Sequence, residues 1–75
     1  MTTELKELVD RYPITVFWSE EDESYIAICT AFSGHSALGE TPEEALREGR
    51  IALEGFIESY IELGDPLPNP SAVAA

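Results

Sequence analysis

One long helix, with both of its ends, is specified by the stretch TPEEALREGRIALEGFIESYIELG at Thr41–Gly64. Thr41 is a favoured N-cap residue, Pro42 suits the first helical position, and Glu44 completes a capping box three residues after the cap. Gly64 favours a left-handed C-terminal stop. We therefore predict a helix that starts after Thr41 and ends at Gly64, and the rest of the chain is interpreted around it.

Apolar side chains form a wide stripe along this predicted helix. The stripe has two adjacent rows: Ala45, Gly49, Ala52, Phe56, Tyr60 and Leu63, and then Leu46, Leu53, Ile57 and Ile61. A stripe of this width is suited to covering one face of a sheet. The opposite side of the helix carries Glu44, Glu48, Glu58 and Glu62, with Ile51 exposed among them.

Two segments rich in β-branched and aromatic residues precede the helix and predict an antiparallel hairpin. The first is YPITVFW at Tyr12–Trp18, where alternate residues place Tyr12, Ile14, Val16 and Trp18 on one face. The second is YIAICTAF at Tyr25–Phe32, where Ile26, Ile28 and Phe32 oppose Tyr25, Ala27, Cys29 and Ala31. The connection between the two segments carries the acidic cluster Glu20–Glu23 at its tip.

Three further pieces complete the predicted organisation. A short amphipathic helix is expected at residues 3–10, a short third strand around Ser36–Gly39, and an extended proline-rich tail at residues 65–75. The core is expected to span residues 12–63. The sequence therefore predicts one α+β domain over residues 1–75, in which a long helix packs on one face of a three-stranded antiparallel sheet.

The composition is strongly acidic, with 15 Asp and Glu residues against 4 Lys and Arg residues and a net charge of -11. This charge argues against binding to nucleic acid or anionic membranes, and it is compatible with a basic protein partner. Solubility alone is the simpler explanation of such a charge. Neither a signal peptide nor an apolar run of about 20 residues is recognisable, so we expect a cytoplasmic protein.

The size and the cysteine content limit the sources of stability. A chain of 75 residues buries a small core, and its single cysteine cannot form an internal disulfide. Cys29 lies in an apolar run, which is typical of a buried small hydrophobe in a reducing compartment. Self-association is therefore an expected further source of stability.

The segment GHSALG at Gly34–Gly39 is one residue away from the G-x-S-x-G nucleophile elbow of serine hydrolases. Leu38 stands where the elbow needs glycine, and His35 is adjacent to Ser36 instead of arriving from elsewhere in the chain. Zinc sites need three or four ligands, and the acidic turn lacks the glycine of a calcium-binding loop. We therefore predict no enzymatic activity, metal or cofactor, and a structural or interface role for His35. A small hydrolase or metal enzyme is therefore the weakest of three hypotheses about function, and the other two are given at the end of this subsection.

The segment Tyr12–Leu53 resembles the HicB-like antitoxin family. The similarity lies in a Tyr-Pro-hydrophobic strand, an acidic turn, a second strand, and the sequence GETPEEAL at Gly39–Leu46 that opens the helix. The resemblance implies a partial RNase H-like fold without the catalytic carboxylate cluster. It also implies homo-oligomers, and neutralisation of a small basic RNA-cleaving toxin, HicA, whose fold resembles double-stranded-RNA-binding domains.

The sequence departs from the family pattern in two places. Ser33-Gly34-His35 stands where the family often has Pro-Gly-Cys. Many family members also carry a C-terminal DNA-binding segment, whereas NPSAVAA at residues 69–75 is neither basic nor patterned for one. The resemblance is therefore expected to carry over to the antitoxin role and not to repression of an operon.

These observations lead to two main hypotheses. The first is an antitoxin-type module that binds a small basic toxin of the HicA type and forms a dimer or tetramer. Its predicted contact residues are Glu20, Glu21, Asp22, Glu23, Glu44, Glu48 and Ile51. The alternative explanation of these acidic residues is a merely solvated surface. The second hypothesis is a stand-alone oligomeric domain without a toxin partner.

Overall fold

The computed structural model describes residues 3–70 and contains five elements. They are helix α1 at Thr3–Asp10, strand β1 at Thr15–Ser19, strand β2 at Ser24–Ile28, strand β3 at Ala37–Gly39 and helix α2 at Pro42–Leu63. The strands form one antiparallel sheet of order β1-β2-β3. The predicted α+β class, the three-stranded sheet and both helices are therefore confirmed. In residues 3–70, no helix combines the length and the apolar character needed to cross a membrane.

Helix α2 has the ends that its sequence specifies. The Thr41 hydroxyl accepts a hydrogen bond from the backbone N–H of Glu44 at 3.0 Å, and Pro42 occupies the first turn. At the other end Gly64 has a φ of 74°, and its N–H bonds to the carbonyl of Ile61. Both predicted boundaries are therefore confirmed.

Two glycines allow α2 to lie very close to the sheet. A Cβ atom on Gly39 would stand 2.3 Å from the backbone N of Ala45, and one on Gly49 would stand 2.9 Å from the Cβ of Ala27. Any side chain at either position would displace the helix. We call the sheet face that carries Ala27 and contacts α2 the inner face.

The core lies beyond the inner face, at the end of the sheet away from the β1–β2 turn. Its buried members are Val9, Tyr12, Cys29, Phe32, Leu53 and Ile57. The ring of Phe32 is central: its centroid lies 5.0 Å from that of Tyr12, 5.7 Å from that of Phe56 and 5.2 Å from that of Tyr60. This cluster joins α1, α2 and the segment that follows β2.

Strand β2 is shorter than predicted, and this corrects one assignment of faces. The strand ends at Ile28, and turn bonds follow from the N–H of Phe32 to the carbonyl of Cys29 and from the N–H of His35 to the carbonyl of Phe32. The expected alternation stops there, so Phe32 points into the core together with Cys29 instead of opposing it. Strand β1 also starts late, at Thr15, and Tyr12 enters the core before the strand begins.

The predicted apolar stripe of α2 is only partly covered. Leu53 and Ile57 are fully buried, whereas Leu46 is 40% exposed and Ile61 is 57% exposed. A helix of 22 residues is about 33 Å long, but strands of five residues reach only about 17 Å. The sheet is therefore too short to cover the whole stripe, and α1 packs against α2 where the sheet ends.

The segment after α2 returns to the core as far as the structure describes it. Leu67 packs against the core cluster, and the Tyr12 hydroxyl donates a hydrogen bond of 2.6 Å to the carbonyl of Pro68. The last residues of the tail predicted at 65–75 lie outside the described residues.

Candidate functional site

The acidic cluster Glu20–Glu23 forms the exposed turn between β1 and β2. Ser19 organises it, because its hydroxyl donates to an Asp22 carboxylate oxygen at 3.0 Å and accepts from the Asp22 N–H at 3.3 Å. The Ser24 hydroxyl donates to the carbonyl of Asp22 at 3.4 Å. Four consecutive carboxylates are thus presented to solvent on an ordered turn.

Glu23 adopts the backbone conformation that closes this turn. Its φ is 50°, in the left-handed region that favours glycine. A non-glycine residue there is strained by about 1 to 2 kcal/mol. Glu23 therefore carries its charge on the turn in a left-handed backbone conformation that glutamate disfavours.

Most of the predicted contact residues lie at one end of the molecule. Ser19 pairs with Ser24 and Tyr25 pairs with Gly39, so the β1–β2 turn and the start of α2 share the same end of the sheet. This end, which we call the acidic end, carries seven of the 15 acidic residues of the chain: Glu20, Glu21, Asp22, Glu23, Glu40, Glu43 and Glu44. The structure therefore brings the predicted turn residues and Glu44 together. It also adds Glu40 and Glu43, which can be found only once the register is known.

Glu48 and Ile51 lie further along α2. At 1.5 Å per residue they are about 6 Å and about 10 Å beyond Glu44 along the helix axis. Ile51 is 55% exposed, as predicted, but its neighbours are not all acidic. It lines a shallow groove together with Glu43, Leu46, Arg47, Arg50 and Glu54.

Arg50 connects this groove to α1. Its guanidinium forms an ion pair with the carboxylate of Asp10, and both side chains are partly exposed. Ile51 and Leu46 are therefore the apolar part of a mixed-charge surface next to the acidic end.

His35 is buried and holds the segment after β2 against α2. It is 4% exposed, its Nδ1 accepts the backbone N–H of Cys29 at 2.9 Å, and its Nε2 lies 2.8 Å from the carbonyl of Gly49. Because Nδ1 accepts, the ring is the tautomer in which Nε2–H donates to Gly49. Neither nitrogen is available to take a proton from the exposed Ser36, so this histidine holds the fold together.

Cys29 has the environment predicted for it. It is 1% exposed, and burial raises the pKa of its thiol. A neutral thiol in this position behaves as part of the core. Within residues 3–70, no group of three or more His, Cys, Asp or Glu side chains is arranged to hold a metal ion.

The pairing of the strands also defines a surface that sequence reasoning missed. The face opposite α2, which we call the outer face, carries Thr15, Phe17, Ser19, Ser24, Ile26, Ile28 and Leu38. Phe17 is 43% exposed and Leu38 is 55% exposed. The alternation within each strand was readable from the sequence, but the alignment of Phe17, Ile26 and Leu38 in one row required the register.

Comparison with known proteins gives one match. The family described as HicB_like antitoxin of bacterial toxin-antitoxin system matches residues 11–75, which is most of the chain and excludes α1. Neither the curated proteins nor the solved structures contain a significant match.

Proposed function

Because this chain belongs to the HicB-like antitoxin family of bacterial toxin–antitoxin systems, we propose that it binds and neutralises a small basic RNA-cleaving toxin of the HicA type. Membership of the family supports an antitoxin-type role and implies a toxin partner in general. The identity of the toxin as HicA-like is the finer part of the proposal. Such a toxin would meet its RNA in the cytoplasm, where we also place this protein.

The acidic end is the observation that carries this proposal. Seven carboxylates at one end of a small domain produce a strong negative field, which attracts a basic surface and speeds its association. A toxin that cleaves RNA needs a basic surface for the phosphate backbone. An acidic protein that covers this surface competes with the RNA for it.

The contact surface that we propose combines charge with one apolar residue. Glu20, Glu21, Asp22 and Glu23 supply the charge on the turn, and Glu44 and Glu48 extend it along α2. Ile51 supplies an exposed apolar contact about 10 Å beyond Glu44. Fully hydrated charges contribute little to affinity by themselves, so an apolar contact next to them strengthens the complex.

A matched pair of charge variants tests the proposal. The first replaces Glu20, Glu21, Asp22 and Glu23 by their amides, and the second replaces Glu4, Glu7, Glu58 and Glu62 by Gln. Both remove four negative charges from exposed positions, but only the first alters the acidic end. The binding partner is the small basic protein encoded in the adjacent reading frame, and its binding is measured by isothermal titration calorimetry.

We expect the first variant to bind about thirtyfold more weakly, since four exposed ion pairs of about 0.5 kcal/mol each amount to about 2 kcal/mol. The second variant should change the affinity by less than about threefold, because the charges it removes lie away from the proposed contact surface. Their interaction with the bound partner is long-range and is screened by salt. Rescue of growth during expression of the toxin should follow the same order. Equal weakening in the two variants would reject the acidic end as the contact surface. If no adjacent frame encodes a basic protein, the stand-alone hypothesis replaces this one.

We also propose that the chain forms homo-oligomers. Several large apolar side chains remain on the surface of the single chain, among them Phe17, Trp18 and Leu38, each more than 40% exposed. A domain of this size gains stability when such side chains are covered by another copy.

A further inference from the structure

The middle of the sheet has an unusual distribution of side-chain size between its two faces. The row on the inner face consists of Val16, Ala27 and Ala37. The neighbouring row on the outer face consists of Phe17, Ile26 and Leu38. The inner residues are small because α2 approaches closely: a Cβ on Gly49 would already lie 2.9 Å from that of Ala27. In this part of the sheet the larger apolar side chains are therefore on the face that α2 does not cover, whereas Trp18 and Tyr25 lie on the inner face, nearer the β1–β2 turn.

The described part of the chain leaves this outer face open. Helix α2 packs on the inner face, and α1 packs against α2. The segment after α2 is held on the core side by the bond from Tyr12 to Pro68. Phe17 and Leu38 accordingly stay 43% and 55% exposed.

The outer face also lacks charge. None of its seven strand residues is ionisable, in a chain whose composition is 25% charged. Two copies of this chain carry -11 each and repel one another, most strongly where their acidic residues would meet. An uncharged apolar face is the surface at which a second copy can approach without burying a carboxylate.

We propose that two copies of this chain pack their outer faces against each other around a two-fold axis, with Phe17, Ile26 and Leu38 at the centre of the contact. The proposal rests on the homo-oligomer proposed above and is independent of the toxin. In such a pair the two sheets stack about 10 Å apart, as in a β-sandwich. The same patch on each copy meets itself, which is the usual arrangement in a symmetric dimer.

The size of the face sets the expected strength of the dimer. Strands of five residues and a width of three strands give a face of at most about 17 Å by about 14 Å, and β3 spans only three residues of that length. The area of such a face is smaller than the roughly 800 Å² that each partner buries in a standard stable interface. We therefore expect a reversible dimer that forms only at high protein concentration.

Salt distinguishes this surface from the toxin-binding surface. Screening weakens the repulsion between two negative copies, so higher salt should strengthen the dimer. The same screening weakens the attraction between the acidic end and a basic toxin. The two proposed surfaces thus predict opposite salt dependences, and one can fail without the other.

The test is sedimentation equilibrium of the full chain from about 10 µM to about 1 mM, in about 50 mM and about 500 mM NaCl. Leu38→Gln and Ile51→Gln form a matched pair, because each replaces an aliphatic side chain that is 55% exposed and neither alters the net charge. We expect Leu38→Gln to weaken the dimer about tenfold or more, since a two-fold axis uses each residue twice. Ile51→Gln should leave the dimer within about twofold of the wild type.

Phe17→Gln is a second variant of the outer face, for the case that Leu38→Gln unfolds the short strand β3. Circular dichroism of each variant establishes that it is folded. A wild-type chain that stays monomeric at about 1 mM in high salt would overturn the proposal, as would equal effects of Leu38→Gln and Ile51→Gln. If Leu38→Gln weakens binding of the basic partner and leaves the dimer intact, the outer face belongs to the toxin and the proposal is wrong.

Discussion

Replacing His35 by Leu is the sharpest test of how this small fold is held together. The imidazole accepts the N–H of Cys29 and donates to the carbonyl of Gly49, and it is 4% exposed. Leucine has a similar volume but no polar atoms. The substitution therefore keeps the packing close to that of the wild type and removes both hydrogen bonds.

The two bonds are not equivalent in energy. The carbonyl of Gly49 lies within α2 and still accepts its helical hydrogen bond in the variant. Loss of the bond from His35 to this carbonyl therefore costs about 0.5 to 1.5 kcal/mol. The N–H of Cys29 is left buried without an acceptor, which costs about 1 to 3 kcal/mol. The total is about 1.5 to 4.5 kcal/mol. A domain of 75 residues is stable by about 4 to 11 kcal/mol, so the loss amounts to a large fraction of its stability.

Urea unfolding followed by the fluorescence of Trp18, the single tryptophan, measures this loss. His35→Asn is the informative partner variant, because its side-chain oxygen can occupy the position of Nδ1 and accept the Cys29 N–H. It should recover about half of the stability lost in His35→Leu. Ser36→Ala, at the exposed neighbouring residue, should stay within about 0.5 kcal/mol of the wild type. A loss below about 0.5 kcal/mol in His35→Leu would refute the role assigned to this histidine.

Three further predictions concern stability. Gly55→Ala should raise the free energy of unfolding by about 0.5 to 1 kcal/mol, since nothing lies within 4 Å of the new Cβ. Gly49→Ala should lower the free energy of unfolding, because its Cβ would stand 2.9 Å from that of Ala27. The urea midpoints of the two variants compare these effects directly. Glu23→Gly should stabilise the chain by about 1 kcal/mol, because glycine tolerates the φ of 50°, and the rise in Tm should be absent in Glu23→Ala. Burial raises the pKa of the Cys29 thiol, so the unfolded chain loses this proton first and stability falls as the pH rises through the ordinary value of 9.0. Urea unfolding of Cys29→Ala from about pH 7.5 to about pH 9.5 should show a shallower fall, and equal slopes in the two proteins would contradict this reasoning.

The sequence predicted the elements that carry local signals. The cap at Thr41, the stop at Gly64 and the helix at Thr3–Asp10 were all readable, because capping and amphipathic patterns are properties of neighbouring residues. The end of β2 was not readable in the same way. The apolar run continues to Phe32, and only the turn bonds after Cys29 show that the strand has stopped at Ile28.

The candidate site was predictable to the extent that it lies on one segment. The acidic turn Glu20–Glu23 is contiguous, and its exposure followed from the position of a hairpin tip. Its proximity to Glu43 and Glu44 depends on the pairing of Tyr25 with Gly39, which is a contact between residues distant in the sequence. The hydrogen bonds of His35 were hidden for the same reason, since Gly49 is 14 residues away.

Small residues on the inner face link the packing of the fold to its proposed assembly. Alternation by itself favours placing the larger apolar residues under the helix, yet Ala27 and Gly49 meet there and leave no room for a larger side chain. The carbonyl of Gly49 also lies 2.8 Å from Nε2 of His35, so a hydrogen bond holds α2 at the place where it comes closest to the sheet. Phe17 and Leu38 are the sequence neighbours of Val16 and Ala37, so alternation along the strands places them on the other face. A domain that packs its helix through alanine and glycine leaves larger apolar residues of the same strands on the opposite face, and the absence of charge on that face supports the proposed contact with a second copy of the same acidic chain.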